Sequence, residues 1–252
     1  MHENEFLPYS QELDYTYLNG ILKTHTAYKA SPDSIMCLLV SGGCTVDDLF
    51  FVQSMKSKGI PAIYISAERA AALNISKSVA AVIKKKGLTK IRDDRRHLIL
   101  DDIHKPSNLG AIIRTAAASG ITDIAYIGSK ISDFDSAEIY CDSVGLRWAV
   151  DIELFDSLES YLERFRSRMV YSFMLSDNST MINDIGSVPP VYSLAFGNEL
   201  FGLGEEYKAH GINVKIPMYN DVNSYNVNVS VGIGLYVFNQ LSKCDTMAES
   251  AL

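Results

Sequence analysis

The chain has 252 residues, of which 47% are hydrophobic and 21% are charged, and this balance excludes an intrinsically disordered protein. No stretch approaches the roughly 18 apolar residues of a membrane helix. The acidic start, residues 1–5, lacks the basic and apolar regions of a signal peptide, so we expect a cytoplasmic protein. The formal net charge of −7, taken alone, argues against a polyanionic partner.

The first third of the chain has the pattern of a small α/β domain. Its predicted strands are Leu38–Val40, Ile60–Ile65 and Val79–Ile83, and its predicted helices are Val46–Lys58 and Ala67–Leu73. In the first of these helices, Val46, Leu49 and Phe50 share the repeat of one helical face. A polar stretch then breaks the periodicity. We therefore predict a domain over residues 1–90, a linker over 91–97 and a second domain over 98–252.

A basic segment spans the predicted domain junction. Between Lys84 and Lys105, eight Lys and Arg outnumber four Asp, a net charge of +4 that leaves −11 for the rest of the chain. Such a run is commonly a solvated face, but it also suits contacts with phosphates. The candidate RNA-binding residues are Lys84, Lys85, Lys86, Arg92, Arg95 and Arg96.

The second part of the chain alternates between strand and helix patterns. The predicted strands are Leu98–Leu100, Ile124–Ile127, Val170–Leu175, Val191–Phe196 and Val214–Ile216, and the predicted helices are Leu109–Ser119, Leu158–Arg168, Glu205–His210 and Asn226–Leu241. This alternation predicts a parallel sheet covered by helices. Such sheets bind ligands at the carboxyl ends of their strands, where the informative loops of this chain fall.

The predicted helix after residue 106 carries one isolated cation. Arg114 lies off the apolar stripe of this helix, and its neighbours three and four positions away are Gly and Ala. The side chain could simply face solvent or join an ion pair. Alternatively, Arg114 is a positioned cation beside a reacting oxygen.

A loop rich in glycine follows the predicted strand Val191–Phe196. It reads Gly-Asn-Glu-Leu-Phe-Gly-Leu-Gly over residues 197–204, which matches neither a P-loop nor the dinucleotide fingerprint. A plain turn would also explain its glycines. Glu199 needs a partner, and Arg114 is a candidate.

A third segment joins Ile216-Pro217-Met218 to the start of the last predicted helix. Ser224 or Asn226 suits the N-cap of that helix. Capping alone would explain both residues. The alternative is that they line a ligand site.

The cysteines and histidines do not indicate a metal site. The four cysteines, Cys37, Cys44, Cys141 and Cys244, are widely spaced, with no Cys-x-x-Cys motif and no histidine at ligand spacing. We therefore expect no bound metal.

Taken together, the three segments resemble a known family. Asn-x-Gly-x-x-x-Arg-Thr-Ala from residue 108, Gly-Asn-Glu-x-x-Gly from residue 197, and Ile-Pro-Met with Ser-x-Asn-Val from residues 216 and 224 are similar to the three signature motifs of the SpoU branch of the SPOUT RNA methyltransferases. The likeness covers residues 98–241. The N-terminal part also resembles the α/β RNA-binding domain that precedes the catalytic domain in ribosomal-RNA members.

The resemblance implies a fold, a reaction and a set of site residues. The fold would be an α/β SPOUT domain with a parallel sheet and a deep trefoil knot, preceded by a small α/β RNA-binding domain. The protein would be a homodimer that uses S-adenosylmethionine to methylate a ribose 2′-hydroxyl of structured RNA. Catalytic residues would be Arg114, Asn108, Glu199, Ser224 and Asn226. Cofactor-binding residues would be Phe196, Gly197, Asn198, Gly202, Ile216, Pro217, Met218, Tyr225, Asn226 and Val227.

The implied roles suit the residue types. Arg114 would stabilise the developing alkoxide, since arginine stays protonated. Glu199 would orient Arg114, and Asn108 would help to position it or the RNA. Methyl transfer needs no metal, because the sulfonium donor is already activated.

Three alternatives stay open. Ribosomal RNA is the preferred substrate because of the N-terminal domain, but transfer RNA would suit the same motifs. The chain could also be an RNA-binding protein that keeps the fold without catalysis. A dehydrogenase is disfavoured because the glycine fingerprint is absent.

Overall fold

A computed structural model describes residues 5–128, 134, 136–220 and 224–249. The helices are α1 (Ile21–Ala30), α2 (Val46–Ser57), α3 (Ala67–Ala72), α4 (Pro106–Ala118), α5 (Ala137–Asp142), α6 (Leu158–Arg164) and α7 (Val227–Glu249). The strands are β1 (Tyr15–Asn19), β2 (Ile35–Val40), β3 (Ala62–Tyr64), β4 (Val79–Lys84), β5 (His97–Asp101), β6 (Asp123–Ile127), β7 (Asp151–Phe155), β8 (Met169–Phe173), β9 (Thr180–Met181), β10 (Tyr192–Phe196) and β11 (Ile212–Lys215).

The chain divides into two compact units. Unit 1 comprises Met1–Gly87 and Ser132–Ala149, and unit 2 comprises Leu88–Ile131 and Val150–Leu252. Residues 132–149, from the middle of the predicted second domain, thus return to unit 1. The periodicity of the sequence does not indicate this return. Each unit has its own sheet.

Unit 1 contains a four-stranded sheet in the order β1-β4-β2-β3. Only the pair β2 and β3 is parallel. Side-chain hydrogen bonds to backbone carbonyls tie the returning segment to this unit. Buried Arg147 donates to the Lys86 carbonyl at 2.8 Å, and the Trp148 indole donates to the Lys84 carbonyl at 2.9 Å. At Gly145 a Cβ would lie 2.4 Å from the Lys23 carbonyl oxygen, so only glycine permits this approach.

Helix α2 forms where the sequence predicts it but packs on a different face. Thr45 and Asp48 form a capping box at its start, which fixes the N-terminus. The predicted apolar face is exposed, with Phe50 72% accessible, while Val52 and Met55 are buried. Helical spacing identifies the element, but contacts with the sheet decide which face is covered.

Unit 2 confirms the predicted parallel sheet. Its seven strands run in the order β7-β6-β5-β10-β8-β11-β9, and every neighbouring pair is parallel. The central strands are almost wholly buried, which explains why their sequences are mostly apolar. Helices α4 and α7 pack against each other. The carboxyl ends of β5, β10, β8 and β11 therefore lie side by side at one edge of the sheet.

A buried polar chain joins β5, α6 and β10. His97 is fully buried, and its Nε2 donates to the Arg92 carbonyl at 2.8 Å because a carbonyl can only accept. Its Nδ1 therefore accepts from the Tyr161 hydroxyl at 2.8 Å, which in turn accepts from Ser193 at 2.6 Å. Burial lowers the pKa of His97 to about 4. The ring is thus neutral in the folded protein.

Within the described residues, no helix combines the length and apolarity needed to cross a bilayer.

Candidate active site

A cavity of about 620 Å³ opens at the carboxyl edge of the unit 2 sheet. It gathers the loops that follow β5, β8, β10 and β11 and the start of α7. Its lining comprises Lys105, Asn108, Phe173–Leu175, Phe196–Leu203, Glu205, Lys208, Val214–Ile216, Met218, Ser224–Val227 and Ser230. All three segments that the sequence singled out therefore contribute to one pocket.

The glycine-rich loop is folded back on itself. At Gly197, a Cβ would lie 2.3 Å from the Gly202 carbonyl carbon, so no other residue fits without opening the loop. Gly202 has a φ of +71°, in the region that favours glycine. Its amide donates to the Asn198 carbonyl at 2.9 Å. The two glycines thus shape a compact loop whose backbone faces the cavity.

The Asn198 side chain fastens this loop to the end of β5. Its amide nitrogen donates to the Asp102 carbonyl at 2.8 Å. Its amide oxygen accepts from the backbone N–H of Leu200 at 2.8 Å. Nearby, Tyr207 donates to Asp101 at 2.6 Å, and burial raises the pKa of that carboxyl. The bonds to Asp102 and Asp101 join the loop region to the end of β5.

Glu199 pairs with Asn108. The Asn108 amide donates to Glu199 Oε1 at 2.7 Å, joining the first turn of α4 to the glycine-rich loop. Asn108 is 5% exposed. The structure therefore gives Glu199 the partner Asn108 instead of Arg114, the candidate from the sequence.

Arg114 does not line the cavity of the single chain. It is exposed on α4 and makes no hydrogen bond or ion pair with any described residue. It follows Asn108 by six positions, which places it about 9 Å further along the helix and about 240° around its axis. Because Asn108 faces the cavity, a side chain at position 114 of α4 points away from it.

The start of α7 forms another wall. The Asn226 side-chain oxygen accepts from the Asn228 amide at 3.1 Å, and its carbonyl accepts from the amides of Val229 and Ser230. Asn226 is thus the N-cap, one of the two candidates that the sequence offered. Ser224 and Tyr225 line the cavity beside it, and the Tyr225 hydroxyl donates to the Pro217 carbonyl at 3.4 Å. Pro217 itself lies outside the lining.

The sequence predicted Phe196 as a cofactor-binding residue but missed its aromatic partner Phe173. The Phe173 ring stacks on the Phe196 ring, with centroids 4.3 Å apart. A Cβ at Gly234 would lie 2.8 Å from the Phe173 ring, so this glycine lets α7 approach the pair. The available signal was position, because Phe173 lies near the carboxyl end of the predicted strand Val170–Leu175, at the ligand-binding edge.

The six basic candidates fall into both units and are mostly engaged. In unit 1, Lys85 donates to the carbonyls of Ser10 and Gln11, Lys86 donates to the Trp148 carbonyl, and Lys84 is exposed. In unit 2, Arg96 donates to Asn239 and Arg95 lies 4.0 Å from Asp94.

Arg92 has a structural partner of its own. Its guanidinium lies 2.8 Å from the fully buried Asp123. Burial alone would raise the pKa of Asp123, but the Arg92 hydrogen bonds hold it below its ordinary value. Three other lysines, Lys105, Lys208 and Lys215, line the cavity instead.

The cavity has the size of a small-molecule site, because pockets for such ligands are commonly 300–1,000 Å³. Its lining is polar and apolar in about equal measure. The stacked phenylalanines offer an apolar wall, and the loop backbone and Asn226 offer polar groups. Among the described residues, no group of three or more His, Cys, Asp or Glu side chains could hold a metal ion.

Comparisons with known proteins bear on this site. A model of the SpoU rRNA Methylase family matches residues 95–236. A relative named 23S rRNA (adenosine(1067)-2'-O)-methyltransferase, from Streptomyces azureus, is 29% identical over 140 residues, 55% of this chain and 52% of the relative. The chain spans about half to two thirds of the length of the curated relatives it matches.

Solved structures share the fold. An AdoMet-bound rRNA methyltransferase from Sinorhizobium meliloti superposes with a TM-score of 0.71 at 19% identity, covering 90% of this chain and 87% of that one. A second solved structure, which concerns the 2-OH methylation of C/U34 on tRNA, superposes with a TM-score of 0.52 at 30% identity. It covers 60% of this chain and 97% of its own. The matched residues 95–236 enclose every segment of the cavity.

Proposed function

Because the chain belongs to the SpoU rRNA Methylase family, we propose that it transfers a methyl group from S-adenosylmethionine to a ribose 2′-hydroxyl of RNA. The observation that carries the proposal is the single cavity shared by the Asn108–Glu199 pair, the folded glycine loop and the Asn226 cap. The named relatives act on ribosomal or transfer RNA, and both are candidate substrates here.

The residues of the cavity fit the cofactor. Gly197 and Gly202 leave the loop backbone free to approach a flat ligand, and Phe196 provides an apolar wall. When bound, S-adenosylmethionine would supply an activated methyl group for the ribose oxygen and would keep the carbon–sulfur electron pair on sulfur. The hydroxyl proton would leave to solvent or phosphate. Asn226, Ser224 and Glu199 would orient the reactants, a task worth several kcal/mol.

Arg114 would complete this site from a second copy of the chain. In one chain it stands outside the cavity, although an arginine is the group suited to stabilise a developing alkoxide. Val229 and Tyr236 lie two turns apart on α7 and are 45% and 68% exposed. An apolar stripe beside α4 suits a two-fold contact between copies. We therefore propose a homodimer in which Arg114 acts across the interface.

Ribosomal RNA is the preferred substrate because unit 1 adds an α/β domain to the methyltransferase unit. Incubation with labelled S-adenosylmethionine tests this. Ribosomal and transfer RNA from a strain lacking the gene serve as parallel substrates. We expect incorporation into ribosomal RNA. Incorporation into transfer RNA alone would reverse the preference, and none into either would contradict the proposed activity.

A further inference from the structure

Two large apolar side chains stand in solvent at the mouth of the cavity. Leu200 and Phe201 form the tip of the glycine-rich loop and are 85% and 86% exposed. Both also line the cavity. Side chains of this size gain free energy from burial, so adjacent exposure beside a ligand site indicates a surface that a substrate covers.

The loop holds these side chains outward. The Asn198 side-chain oxygen accepts from the amides of both Leu200 and Phe201, at 2.8 and 3.3 Å. The Gly202 amide closes the turn on the Asn198 carbonyl. Hydrogen bonds from the amides of Leu200, Phe201 and Gly202 to Asn198 therefore fix the tip, and the exposed Phe201 ring is available without rearrangement.

Three lysines line the same opening, together with the carboxylates of Glu199 and Glu205. Lys105 and Lys215 line the cavity and have no salt bridge among the described residues, while Lys208 pairs with Glu205 at 2.6 Å. An aromatic ring next to lysines is the combination by which proteins hold single-stranded RNA, with bases on the ring and phosphates near the cations.

We propose that Phe201 is the platform on which the base of the target nucleotide stacks, with Leu200 at its edge and a flanking phosphate beside Lys105. The inference rests on the proposed function and specifies its substrate as a nucleotide turned out of its helix. Any base can stack on the ring, so this contact holds the ribose near the cavity without reading sequence.

Three substitutions at one position separate stacking from other roles. Phe201→Ala removes the surface, Phe201→Leu keeps apolar bulk without a ring, and Phe201→Trp keeps a ring. Met169→Ala is the matched control, because Met169 is 38% exposed at the opposite, amino end of β8. Each variant is assayed for kcat and KM with RNA from the deletion strain, for S-adenosylmethionine affinity by calorimetry and for oligomeric state by sedimentation.

We expect kcat/KM for RNA to fall about tenfold or more in Phe201→Ala and Phe201→Leu, since a stacked base contributes on this scale. Phe201→Trp and Met169→Ala should stay within about threefold of the wild type, and cofactor affinity should not change. Equal activity of Phe201→Ala and wild type would overturn the inference while the proposed function stands. An equal loss of S-adenosylmethionine affinity in Phe201→Ala, or dissociation of this variant into monomers, would also overturn the inference. A wild type that methylates no RNA would instead overturn the proposed function itself.

Discussion

The Asn108 side-chain amide donates a 2.7 Å hydrogen bond to the Glu199 carboxylate across 91 positions of sequence. It joins α4 to the glycine-rich loop, and both residues line the cavity. Asn108→Asp would set two carboxylates against each other, so we expect the free energy of unfolding to fall by roughly 1–3 kcal/mol at pH 7. Glu199→Gln keeps an acceptor oxygen and should lose less than about 1 kcal/mol. Urea unfolding measures the free energy of unfolding of both variants. Equal losses in the two would show that repulsion between carboxylates does not destabilise Asn108→Asp.

Gly197 is expected to be essential for the shape of the loop. Alanine there would place its Cβ 2.3 Å from the Gly202 carbonyl carbon, which forces the loop to open. Gly197→Ala should therefore lower S-adenosylmethionine affinity by about tenfold or more, since a cost of 1.4 kcal/mol already changes affinity tenfold. Gly186→Ala is the control, because its Cβ would meet nothing within 4 Å. Calorimetry that finds both variants equal to wild type would contradict the role of Gly197.

Complementation tests whether Arg114 acts across a dimer interface. Arg114→Ala and Glu199→Ala should each reduce methyl transfer by about 100-fold or more. If Arg114 serves the partner's cavity, mixed dimers contain one complete site. A randomly mixed 1:1 population should then recover about a quarter of wild-type activity. If Arg114 serves its own cavity, no mixed dimer has a complete site and nothing is recovered.

Stability should depend on pH through His97. Its ring stays neutral when folded because burial lowers its pKa to about 4, whereas the unfolded side chain takes up a proton near pH 6.5. The unfolded state thus binds more protons between these values, and stability falls as the pH falls from about 6.5 to 4. The loss is on the order of 3 kcal/mol.

His97→Gln and the exposed control His210→Gln separate this effect from other titrations. The slope between pH 4 and 6.5 should shrink in the first variant and persist in the second. Urea midpoints across this range provide the measurement. An unchanged slope in His97→Gln would show that other groups cause the acid sensitivity.

Lys105 and Arg92 should respond differently to substitution. Lys105 is exposed at the cavity, so Lys105→Ala should weaken RNA binding and reduce the slope of log affinity against log salt by about 0.7 to 1. Arg92→Ala leaves the fully buried Asp123 without its guanidinium, so its main effect should be lower stability. Fluorescence anisotropy over a salt series measures RNA binding, and urea unfolding measures stability. A loss mainly of stability in Lys105→Ala, or mainly of RNA binding in Arg92→Ala, would contradict this prediction.

Much of the site could be predicted because its residues occupy the ends of strands. The sequence places Asn108, Glu199 and Asn226 next to the carboxyl ends of parallel strands or the start of a helix, and topology brings such positions together. Strand interiors were also recognisable, since burial on both faces produces apolar runs.

Side-chain pairings could not be predicted in the same way. The choice of Asn108 over Arg114 as the partner of Glu199 depends on the rotation of α4 about its axis, which tertiary packing sets. The exposed face of α2 and the grouping of residues 132–149 with unit 1 have the same origin. Local patterns identify elements but not the surfaces they cover.

The chemistry of the transferred methyl group is the most direct test of the account. Alkali cleaves RNA through the free 2′-hydroxyl, so a 2′-O-methylated ribose survives in an alkali-resistant dinucleotide. After incubation of RNA with labelled S-adenosylmethionine and wild-type protein, the account predicts that the label resides in such dinucleotides and is lost with Arg114→Ala. Label found in alkali-released mononucleotides, or no label at all, would contradict it.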